Sequence, residues 1–418
     1  MKYIYPEIMS PAGNMTCLIA ALNADCDAVY LGTKNFNMRA AADNFSVEEL
    51  YDAVKLCHSK NVKVYVTLNT LIYENEILKI EELISEIAKT GIDAIICSDF
   101  FVMNLANKYH IPIIASTQLS ISSSASAIAL ANYFKIKRIV LARECSIDDL
   151  QKIKRKFLEN KNEHIKNLEV EIFAHGAMCV SVSGRCLLSA ICYGKSANRG
   201  ECIQPCRRHY KAFDPQDGNE LELHNNYIIS PKDLCIIPFI EKLIDVGVDS
   251  FKIEGRNRSP EYVYTVTSVY KQLIKFYVDN GNNQQFESLK EECINRVKSV
   301  YNREFSSGFY LGKPINEWTT NYGSSSTEYK VFVGYVTNYY SKSSVAEILI
   351  QDNEFNLNDT LFFIGNATGL HKQQITSMEI ENKQIETAKR GTKVAIKTDV
   401  KIRRNDKIYL LKTRTIQE

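Results

Sequence analysis

The chain lacks the sequence signatures of several common enzyme classes. Its 418 residues contain no HExxH, GxSxG, P-loop or GxGxxG segment. These motifs hold a catalytic zinc ion, an activated serine, a nucleoside triphosphate and a dinucleotide, respectively. A conventional metalloprotease, serine hydrolase, P-loop NTPase or Rossmann enzyme is therefore not supported. An excess of one charge is also missing, because the formal net charge is only +2, so there is no overall attraction to nucleic acid or acidic lipid.

Long hydrophobic runs are absent as well. No segment approaches the roughly 18 apolar residues that a membrane-spanning helix needs. The first residues, MKYIYPEIMSPAGN, have no long apolar stretch of the kind found in secretion signals. We therefore expect a cytoplasmic protein with no membrane association. In that compartment, clustered cysteines favour metal or redox sites over disulfides.

Short β-rich runs alternate with longer helical patterns through the first two thirds of the chain. Helical spacing of apolar residues occurs at 47–58, 77–89, 125–133, 147–157 and 234–246, and two further helices are expected at 261–279 and up to about residue 301. This alternation predicts the α/β class, with eight parallel strands closed into a (β/α)8 TIM-like barrel. The eight candidate strands are Glu7–Ser10, Ala28–Leu31, Lys63–Leu68, Ala94–Cys97, Pro112–Ala115, Arg138–Leu141, Glu169–Ala174 and Ser250–Ile253.

Polar and glycine residues follow the carboxyl end of each candidate strand. The segments are SPAGN, GTKNFNMR, NT, SD, STQ, RE, HG and EGR. In barrels of this type the active site lies at that end of the strands. Loops are generally polar, but eight such loops in succession favour one shared rim.

The chain divides into three parts by composition. Residues 1–312 form the expected catalytic barrel, with a cysteine-rich insertion at 175–235, and residues 313–329 are a polar linker. Short alternating strands from 330 to 418 predict a small C-terminal β-barrel domain. Residues 383–414 contain eleven Lys or Arg and three Asp or Glu. A surface with this excess of positive charge suits RNA phosphates. The alternative is that the lysines protect the solvated edge of a sheet.

Five of the twelve cysteines fall within 28 residues, in HGAMCVSVSGRCLLSAICYGKSANRGECIQPC. Clustered thiolates bind zinc or iron–sulfur clusters. The intervals C-x6-C, C-x15-C and C-x3-C between Cys179, Cys186, Cys202 and Cys206 are wider than those of zinc knuckles, and they favour an iron–sulfur cluster. Cys192 ends an apolar run and is expected in buried packing. Cys235 is expected at a buried helix position.

A second group of charged residues occurs in FKIEGRNRSP. Strand alternation places Lys252, Glu254 and Arg256 on one face. Inside the barrel near the rim they would bind an anionic ligand, and the alternative is a set of structural ion pairs that closes the barrel. His175 and His209 flank the cysteines and could move a proton or replace a thiolate, although a supporting or surface role is the simpler interpretation.

Several segments of the chain, including the cysteine block and KIEGR, resemble those of a known protein family. The segments MSPAGN, DAVYLG, FNMRAAADNFS, VTLNT, STQ, VLARE, SFKIEGRNRSPEYV and NREFSSGFYLG, together with the cysteine block, resemble the peptidase U32 (collagenase-like) family over about residues 7–312. The cysteine block and KIEGR are the specific elements.

The resemblance implies an oxygen-independent hydroxylase with a 4Fe-4S cluster. It implies Cys179, Cys186, Cys202 and Cys206 as the cluster ligands. The two-domain organisation is similar to the branch that hydroxylates the wobble uridine of tRNA to 5-hydroxyuridine, with prephenate as the implied oxygen donor. The expected partners are tRNA and a paralogous subunit of the family. The alternatives are a true peptidase, in which Cys179 and His175 would form the catalytic pair, and a non-catalytic subunit.

Position on the rim predicts the remaining site residues. Arginine pairs with carboxylates in a bidentate manner, and a glutamate can orient such groups or act as an acid or base. The expected catalytic residues are Glu254, Arg256, Arg39 and Gln118. The expected substrate-binding residues are Arg143, Glu144, Asn69 and Lys252.

Overall fold

The described residues of the amino-terminal part form twelve short strands. The structure is a computed structural model that describes residues 5–221 and 227–414. Residues 222–226 of the expected insertion and the first four and last four residues of the chain lie outside the described ranges. The strands are β1 (Glu7–Pro11), β2 (Ala28–Gly32), β3 (Lys63–Leu68), β4 (Ala94–Cys97), β5 (Ile113–Ala115), β6 (Arg138–Val140), β7 (Glu169–Gly176), β8 (Ala212–Phe213), β9 (Glu220–Leu221), β10 (Asp233–Cys235), β11 (Ser250–Ile253) and β12 (Phe305–Ser306).

Eight of these strands, β1–β7 and β11, close into a parallel barrel. β1 pairs with β2, and the pairing continues in chain order as far as β6 with β7. β11 pairs with both β1 and β7 and so closes the ring. Ser250 at the start of β11 lies opposite both Glu7 and Glu171, so the ring is complete. The expected TIM-like barrel is confirmed, and every candidate strand lies within two residues of its observed bounds.

Helices surround the barrel and bury their apolar faces against it. They are α1 (Met15–Asn23), α2 (Val47–His58), α3 (Ile77–Ile87), α4 (Phe100–Lys108), α5 (Ser124–Phe134), α6 (Ile147–Leu158), α7 (Glu163–Lys166), α8 (Leu188–Tyr193), α9 (Ile240–Asp245), α10 (Pro260–Asn280) and α11 (Gln284–Ser299). None of the helices in the described ranges is long and apolar enough to cross a bilayer.

Helix α2 shows how local sequence sets these elements. Ser46 caps its first turn, and Glu49 returns a hydrogen bond to the Ser46 backbone, which completes a capping box. Leu50, Val54 and Cys57 then face the barrel at helical spacing and are buried. The predicted bounds, 47–58, are the observed ones.

The predicted start of the helix at 234–246 is wrong. Asp233–Cys235 forms β10, which pairs antiparallel with β7 outside the barrel ring, and β12 pairs with β10. A short 3-10 turn at Ile237–Phe239 follows, and α9 begins only at Ile240. Pro238 has no backbone N–H to donate, so a regular helix through it is disfavoured. Cys235 is buried as expected, but it lies on a strand.

The C-terminal part forms antiparallel sheet. Its strands are β13 (Glu328–Tyr340), β14 (Val345–Ile350), β15 (Phe355–Asn356), β16 (Thr360–Gly365), β17 (Gly369–Gln374), β18 (Met378–Ile380), β19 (Lys383–Gln384), β20 (Thr387–Ala388), β21 (Lys393–Lys397) and β22 (Lys407–Thr413). Eight of them form one sheet in the order β17-β16-β22-β13-β14-β21-β18-β19, around a core separate from that of the barrel. β15 and β20 pair with each other.

The two parts are packed together at α1. Phe362 and Leu370 of the C-terminal sheet belong to the barrel core cluster. Gly369 has φ +68, and a Cβ there would lie 2.7 Å from Ile19 and 2.9 Å from the Ala20 nitrogen. Only glycine fits so close an approach without displacement. The C-terminal domain is therefore fixed on the helix that follows the first barrel strand.

The segment expected as a linker, 313–329, contacts the end of the cysteine insertion. Thr319 donates its backbone N–H to the Ser230 carbonyl at 2.8 Å, and Trp318 forms an isolated β-bridge with Pro231. Lys232 lies 3.4 Å from Glu317. This connection is thus part of the folded structure, and β13 begins at Glu328, two residues before the expected boundary.

Candidate functional site

A cavity of about 170 Å³ lies at the carboxyl ends of the barrel strands, the end that we call the mouth. Its walls come from the loops after several strands and from the cysteine insertion. All four expected cysteines and all but one of the other expected site residues line it. The expected residues in this mouth cavity are Arg39, Asn69, Gln118, Arg143, Cys179, Cys186, Cys202, Cys206, Lys252, Glu254 and Arg256.

Glu254 lies at the centre of the charged wall. Its Oε1 accepts a hydrogen bond from the Arg39 guanidinium at 2.9 Å. Burial would raise the pKa of Glu254, but the positive charges of Arg39, Arg143 and Arg256 hold it at about 2. The carboxylate is therefore ionised at neutral pH, and it orients Arg39 across the cavity.

Arg256 and Lys252 form the deeper part of the same wall. Arg256 donates to Asn37 Oδ1 at 3.1 Å and to Thr67 Oγ1 at 2.9 Å, so neutral oxygens hold it and its charge stays available. Burial lowers the pKa of Arg256 to about 10. Lys252 instead pairs with Glu171 at 2.9 Å inside the barrel. The structure therefore places Arg256 and Glu254 in the cavity lining and gives Lys252 a structural ion pair, while ligand binding by this segment stays a prediction.

Three polar atoms of cavity residues lack hydrogen-bond partners among the described residues: Arg143 Nε, Thr117 Oγ1 and Arg303 Nη1, the last of which lies 3.8 Å from Asp233 Oδ1. Arg143 donates through one terminal nitrogen to the Ala177 carbonyl at 2.8 Å and lies 4.0 Å above the Phe173 ring. Its Nε has no hydrogen-bond partner within the described residues, and neither does Oγ1 of the buried Thr117. An unsatisfied buried polar atom costs about 1–3 kcal/mol. A ligand with acceptor oxygens would satisfy Arg143 and Thr117.

Two uncharged residues complete the expected wall. Asn69 accepts the Met38 backbone N–H at 3.2 Å, next to Arg39. Gln118 accepts the Ser116 hydroxyl. Both side chains lie at the mouth after their strands, as the rim pattern predicts. They are oriented by neighbours on the loops at the mouth.

Glu144 does not line the cavity. Its carboxylate accepts the Ser183 backbone N–H at 3.0 Å and the Ser183 hydroxyl at 3.3 Å. Ser183 has φ +46, a conformation that few residues other than glycine adopt. The expected substrate contact is therefore corrected: Glu144 holds the turn between Cys179 and Cys186 in place.

The four expected cysteines line the same cavity; we call them the cysteine wall, and we call Arg39, Arg143 and Arg256 the arginine wall. Burial raises the pKa of the Cys206 thiol, Arg207 opposes this, and the thiols of Cys179, Cys202 and Cys186 add to the rise. All three therefore lie near Cys206. Donors already point at the sulfurs: the Leu188 backbone N–H lies 3.4 Å from Cys186 Sγ, and the Ser189 hydroxyl lies 3.8 Å from Cys202 Sγ.

The insertion is attached to the loop that carries Arg39. Gly200 has φ +86, and a Cβ there would lie 2.3 Å from the Asn37 carbonyl oxygen. The Gly200 carbonyl accepts the Ala40 N–H at 3.2 Å. Asn198 accepts the Cys186 N–H at 3.2 Å. The cysteine wall and the arginine wall are thus held together by backbone contacts.

The described residues do not form a preorganised site for a single metal ion. Within the described ranges no three His, Cys, Asp or Glu side chains converge closely enough to hold one. Cys179, Cys186, Cys202 and Cys206 nevertheless line one cavity, and four thiolates suit a structural zinc ion or an iron–sulfur cluster by ligand type.

Cys192 differs from its expected environment. It lies on α8, is exposed and does not line the mouth cavity. The apolar run LLSAIC suggests burial, but α8 is only six residues long, and Leu187 and Ile191 are exposed to solvent as well. Its separation from the four cavity cysteines agrees with the expectation that it is not a ligand.

Sequence reasoning underestimates two arginines beneath the cysteines. Arg207 donates to the Met178 carbonyl at 2.6 Å and the Ser230 hydroxyl at 3.0 Å. Arg303 lies 3.8 Å from the buried Asp233 and donates to Gln204 at 3.1 Å. Both line the cavity. Arg207 follows a cysteine directly, which indicates only nearby positive charge, and Arg303 is about a hundred residues away, so only the fold reveals it.

The two histidines are not in the cavity wall. His175 is buried, its Nδ1 lies 3.3 Å from the Tyr270 hydroxyl, and burial lowers its pKa to about 3. Such an imidazole is a poor base at neutral pH. His209 contacts the Tyr227 ring. The Cys179–His175 pair that a peptidase would need is not formed.

The sequence profile of Peptidase family U32 matches residues 13–320. The chain belongs to this family. The match covers most of the barrel, the cysteine insertion and the start of the connecting segment. It agrees with the resemblance carried by the cysteine block and KIEGR.

Three relatives illustrate the range of names within the family. The chain is 40% identical over 410 residues to a collagenase of Porphyromonas gingivalis, with 96% of this chain and 97% of the relative covered. It is 32% identical over 367 residues to tRNA hydroxylation protein P1 of Bacillus subtilis, with 86% and 83% covered. It is 34% identical over 273 residues to the 23S rRNA 5-hydroxycytidine C2501 synthase of Escherichia coli, with 65% and 40% covered.

Proposed function

We propose that the protein is an iron–sulfur-dependent, oxygen-independent RNA hydroxylase that makes 5-hydroxyuridine at the tRNA wobble position. The observation that carries the proposal is one cavity that is lined both by four cysteines and by Arg39, Arg143 and Arg256. The similarity to relatives named for tRNA hydroxylation and for 5-hydroxycytidine synthesis supports RNA as the substrate.

Cys179, Cys186, Cys202 and Cys206 would hold a 4Fe-4S cluster. All four line one cavity, and four cysteine thiolates are the usual ligands of such a cluster. When bound, the cluster supplies electron transfer. The N–H and hydroxyl donors near Cys186 and Cys202 would stabilise the anionic thiolates. Arg207, next to Cys206, adds positive charge on the same side.

The arginine wall would bind the oxygen donor. Prephenate, a dicarboxylate, is the donor that we infer. Arg39 and Arg256 match its carboxylates by charge, and the unpartnered Arg143 Nε and Thr117 Oγ1 offer further donors. Glu254, ionised at neutral pH, orients Arg39 and accepts protons poorly, so its expected acid–base role gives way to positioning.

Two other hypotheses make different predictions. A peptidase is favoured by the name of the Porphyromonas gingivalis relative, but no described histidine lies beside a cavity cysteine in the way a thiol peptidase needs. A non-catalytic subunit beside a paralogous enzyme would need the four cysteines but not the arginine wall.

Anaerobic purification tests the cluster and separates it from peptidase activity. We expect a brown protein with about four irons and four sulfides per chain. Cys202→Ala should lose the colour and the iron, whereas Cys192→Ala should keep both, because Cys202 lines the cavity and Cys192, though likewise exposed, does not. A colourless wild-type protein that cleaves collagen would contradict the proposal, and so would equal iron loss in both variants.

A further inference from the structure

A further positively charged feature of the described residues is a groove between the barrel and the C-terminal domain. It has a volume of about 650 Å³. Its barrel side consists of Asn14 and Thr16 at the start of α1 and Pro260 at the start of α10. Its other side includes Lys330 and the segment Arg403–Lys407. We call it the interdomain groove.

The interdomain groove opens on the same end of the barrel as the mouth cavity. Helix α1 follows the carboxyl end of β1, and α10 follows the carboxyl end of β11. Gly13, which precedes the groove residue Asn14, packs on the cavity residue Arg256: a Cβ on Gly13 would lie 2.0 Å from the Arg256 carbonyl oxygen. The two concave sites therefore share a wall only a few residues thick.

Most of the cations in the interdomain groove form no ion pair with the described residues. Arg403, Arg404 and Lys407 are exposed, and none of them forms an ion pair within the described residues. Lys330 is different, since it pairs with Glu261 at 2.8 Å. Uncommitted cations in a groove attract a polyanion without first breaking internal ion pairs.

The acidic group of the groove is engaged by internal contacts. Asp406 is buried and accepts hydrogen bonds from the Thr368 hydroxyl at 2.5 Å and the Arg403 N–H at 2.8 Å. It shapes the turn that presents Arg403 and Arg404. The charge that faces solvent in this groove is therefore positive.

Both sides of the groove are held together by direct contacts. Thr16 donates to Asn366 at 2.5 Å, and Asn23 donates to the Thr368 carbonyl at 3.2 Å. The close packing of Gly369 on Ile19 lies directly beyond. A groove whose sides cannot separate freely presents its cations at fixed spacing, and this favours a repeated, regular ligand such as a phosphodiester backbone.

We propose that the interdomain groove binds the phosphate backbone of the RNA whose target base enters the mouth cavity. The inference rests on the proposed function and names the surface that holds the substrate. Positive charge along the groove matches RNA phosphates. The shared wall at Gly13 and Arg256 places the bound strand beside the cavity, so a base from the same strand can reach it.

Anaerobic binding measurements on the holoprotein test this. The probe is fluorescently labelled tRNA, followed by anisotropy at several KCl concentrations. Arg404→Gln with Lys407→Gln should weaken binding at least tenfold. Because each lost phosphate contact removes about 0.7–0.9 from the slope of log K against log salt, the slope should fall by about 1.4–1.8. Iron content and thermal midpoint should stay unchanged.

Lys389→Gln with Arg390→Gln is the matched control. This pair removes the same charge from an exposed turn before β21, which is three strands away from β22 in the sheet order. Its binding and salt slope should equal those of the wild type. Equal weakening of binding in both double variants would mean a diffuse charge effect and would contradict RNA binding in the groove. Unchanged binding in Arg404→Gln with Lys407→Gln would contradict it as well.

The same experiment distinguishes failure of the groove from failure of the proposed function. If the wild type binds tRNA and the groove variant binds it equally well, the groove is wrong and the RNA substrate stands. If the wild type binds no tRNA, both the groove proposal and the proposed function are wrong. If the groove variant alone loses binding but tRNA hydroxylation does not depend on the protein, the groove stands as an RNA site and the hydroxylase proposal fails.

Discussion

At the scale of single residues, the ion pair between Glu254 and Arg39 is the most informative contact in the cavity. A carboxylate near three guanidinium groups has a pKa of about 2, despite burial that would raise it. Glu254 therefore serves to hold Arg39 in one orientation, because a group with that pKa is a weak base. In the proposed function, Arg39 and Arg256 would bind the carboxylates of the oxygen donor.

Arg39→Ala and Arg256→Ala should each lower tRNA hydroxylation by roughly 100-fold, the scale expected when one positioned charge is removed. Iron content and visible absorption should stay at the wild-type level, since neither side chain contacts a cysteine sulfur. Nucleoside mass spectrometry after reaction with purified tRNA measures the loss. Arg185→Ala, an exposed arginine outside the cavity, is the matched control. Full activity of both cavity variants would refute the arginine wall.

At the scale of elements, the lower end of the barrel is closed by charges at the starts of its strands. Arg138 begins β6 and lies 2.5 Å from Glu7 at the start of β1 and 2.6 Å from Glu169 at the start of β7. It also lies 3.3 Å from Glu171. Burial would raise the pKa of Glu7, but Arg138 and Lys63 lower it to about 2.

Glu7→Gln should therefore destabilise the protein in a pH-dependent manner. The pKa of Glu7 falls from its ordinary value of 4.5 to about 2 on folding, so its contribution is complete above pH 4.5 and is lost as pH falls through about 2. The shift corresponds to up to about 3 kcal/mol at pH 7. Denaturant unfolding of wild type and variant should show that difference at pH 7 and a smaller one at pH 3. Glu74→Gln, at an exposed site, should show no such trend; a pH-independent difference for Glu7→Gln would contradict the network.

Elements with strong local signals could be predicted from sequence, and those set by distant contacts could not. The eight barrel strands are apolar runs between turns, and α2 carries its own capping box, so their bounds follow from local chemistry. β10 and β12 are only three and two residues long and pair with segments far away in the chain. Apart from Pro238, no local pattern distinguishes β10 from the start of α9, and the apolar spacing alone predicts a helix there.

The same distinction applies to the candidate site. The cysteines, Arg39, Arg143, Glu254 and Arg256 follow strand ends or repeat at short intervals, so the rim rule places them together. Glu144 also follows a strand, but its side chain turns toward Ser183, which no periodicity indicates. Arg303 reaches the cavity from the segment after α11, and only the folded chain brings it there.

At the scale of the whole molecule, the barrel mouth, the cysteine insertion and the C-terminal domain form one continuous working face. Gly200 joins the insertion to the loop of Arg39, and Gly13 joins the cavity wall to the interdomain groove. The segment 313–329 packs on the end of the insertion rather than linking two independent bodies. The four cysteines, the arginines of the cavity and the cationic groove thus lie side by side.

Nucleoside mass spectrometry of tRNA from a strain that lacks this gene tests the central claim most directly. The account predicts that 5-hydroxyuridine and its derivatives disappear from the deletion strain, that the wild-type gene restores them, and that Cys202→Ala and Arg39→Ala do not. Cys192→Ala should restore them fully. Unchanged 5-hydroxyuridine in the deletion strain, or restoration by Cys202→Ala, would contradict a cluster-dependent tRNA hydroxylase.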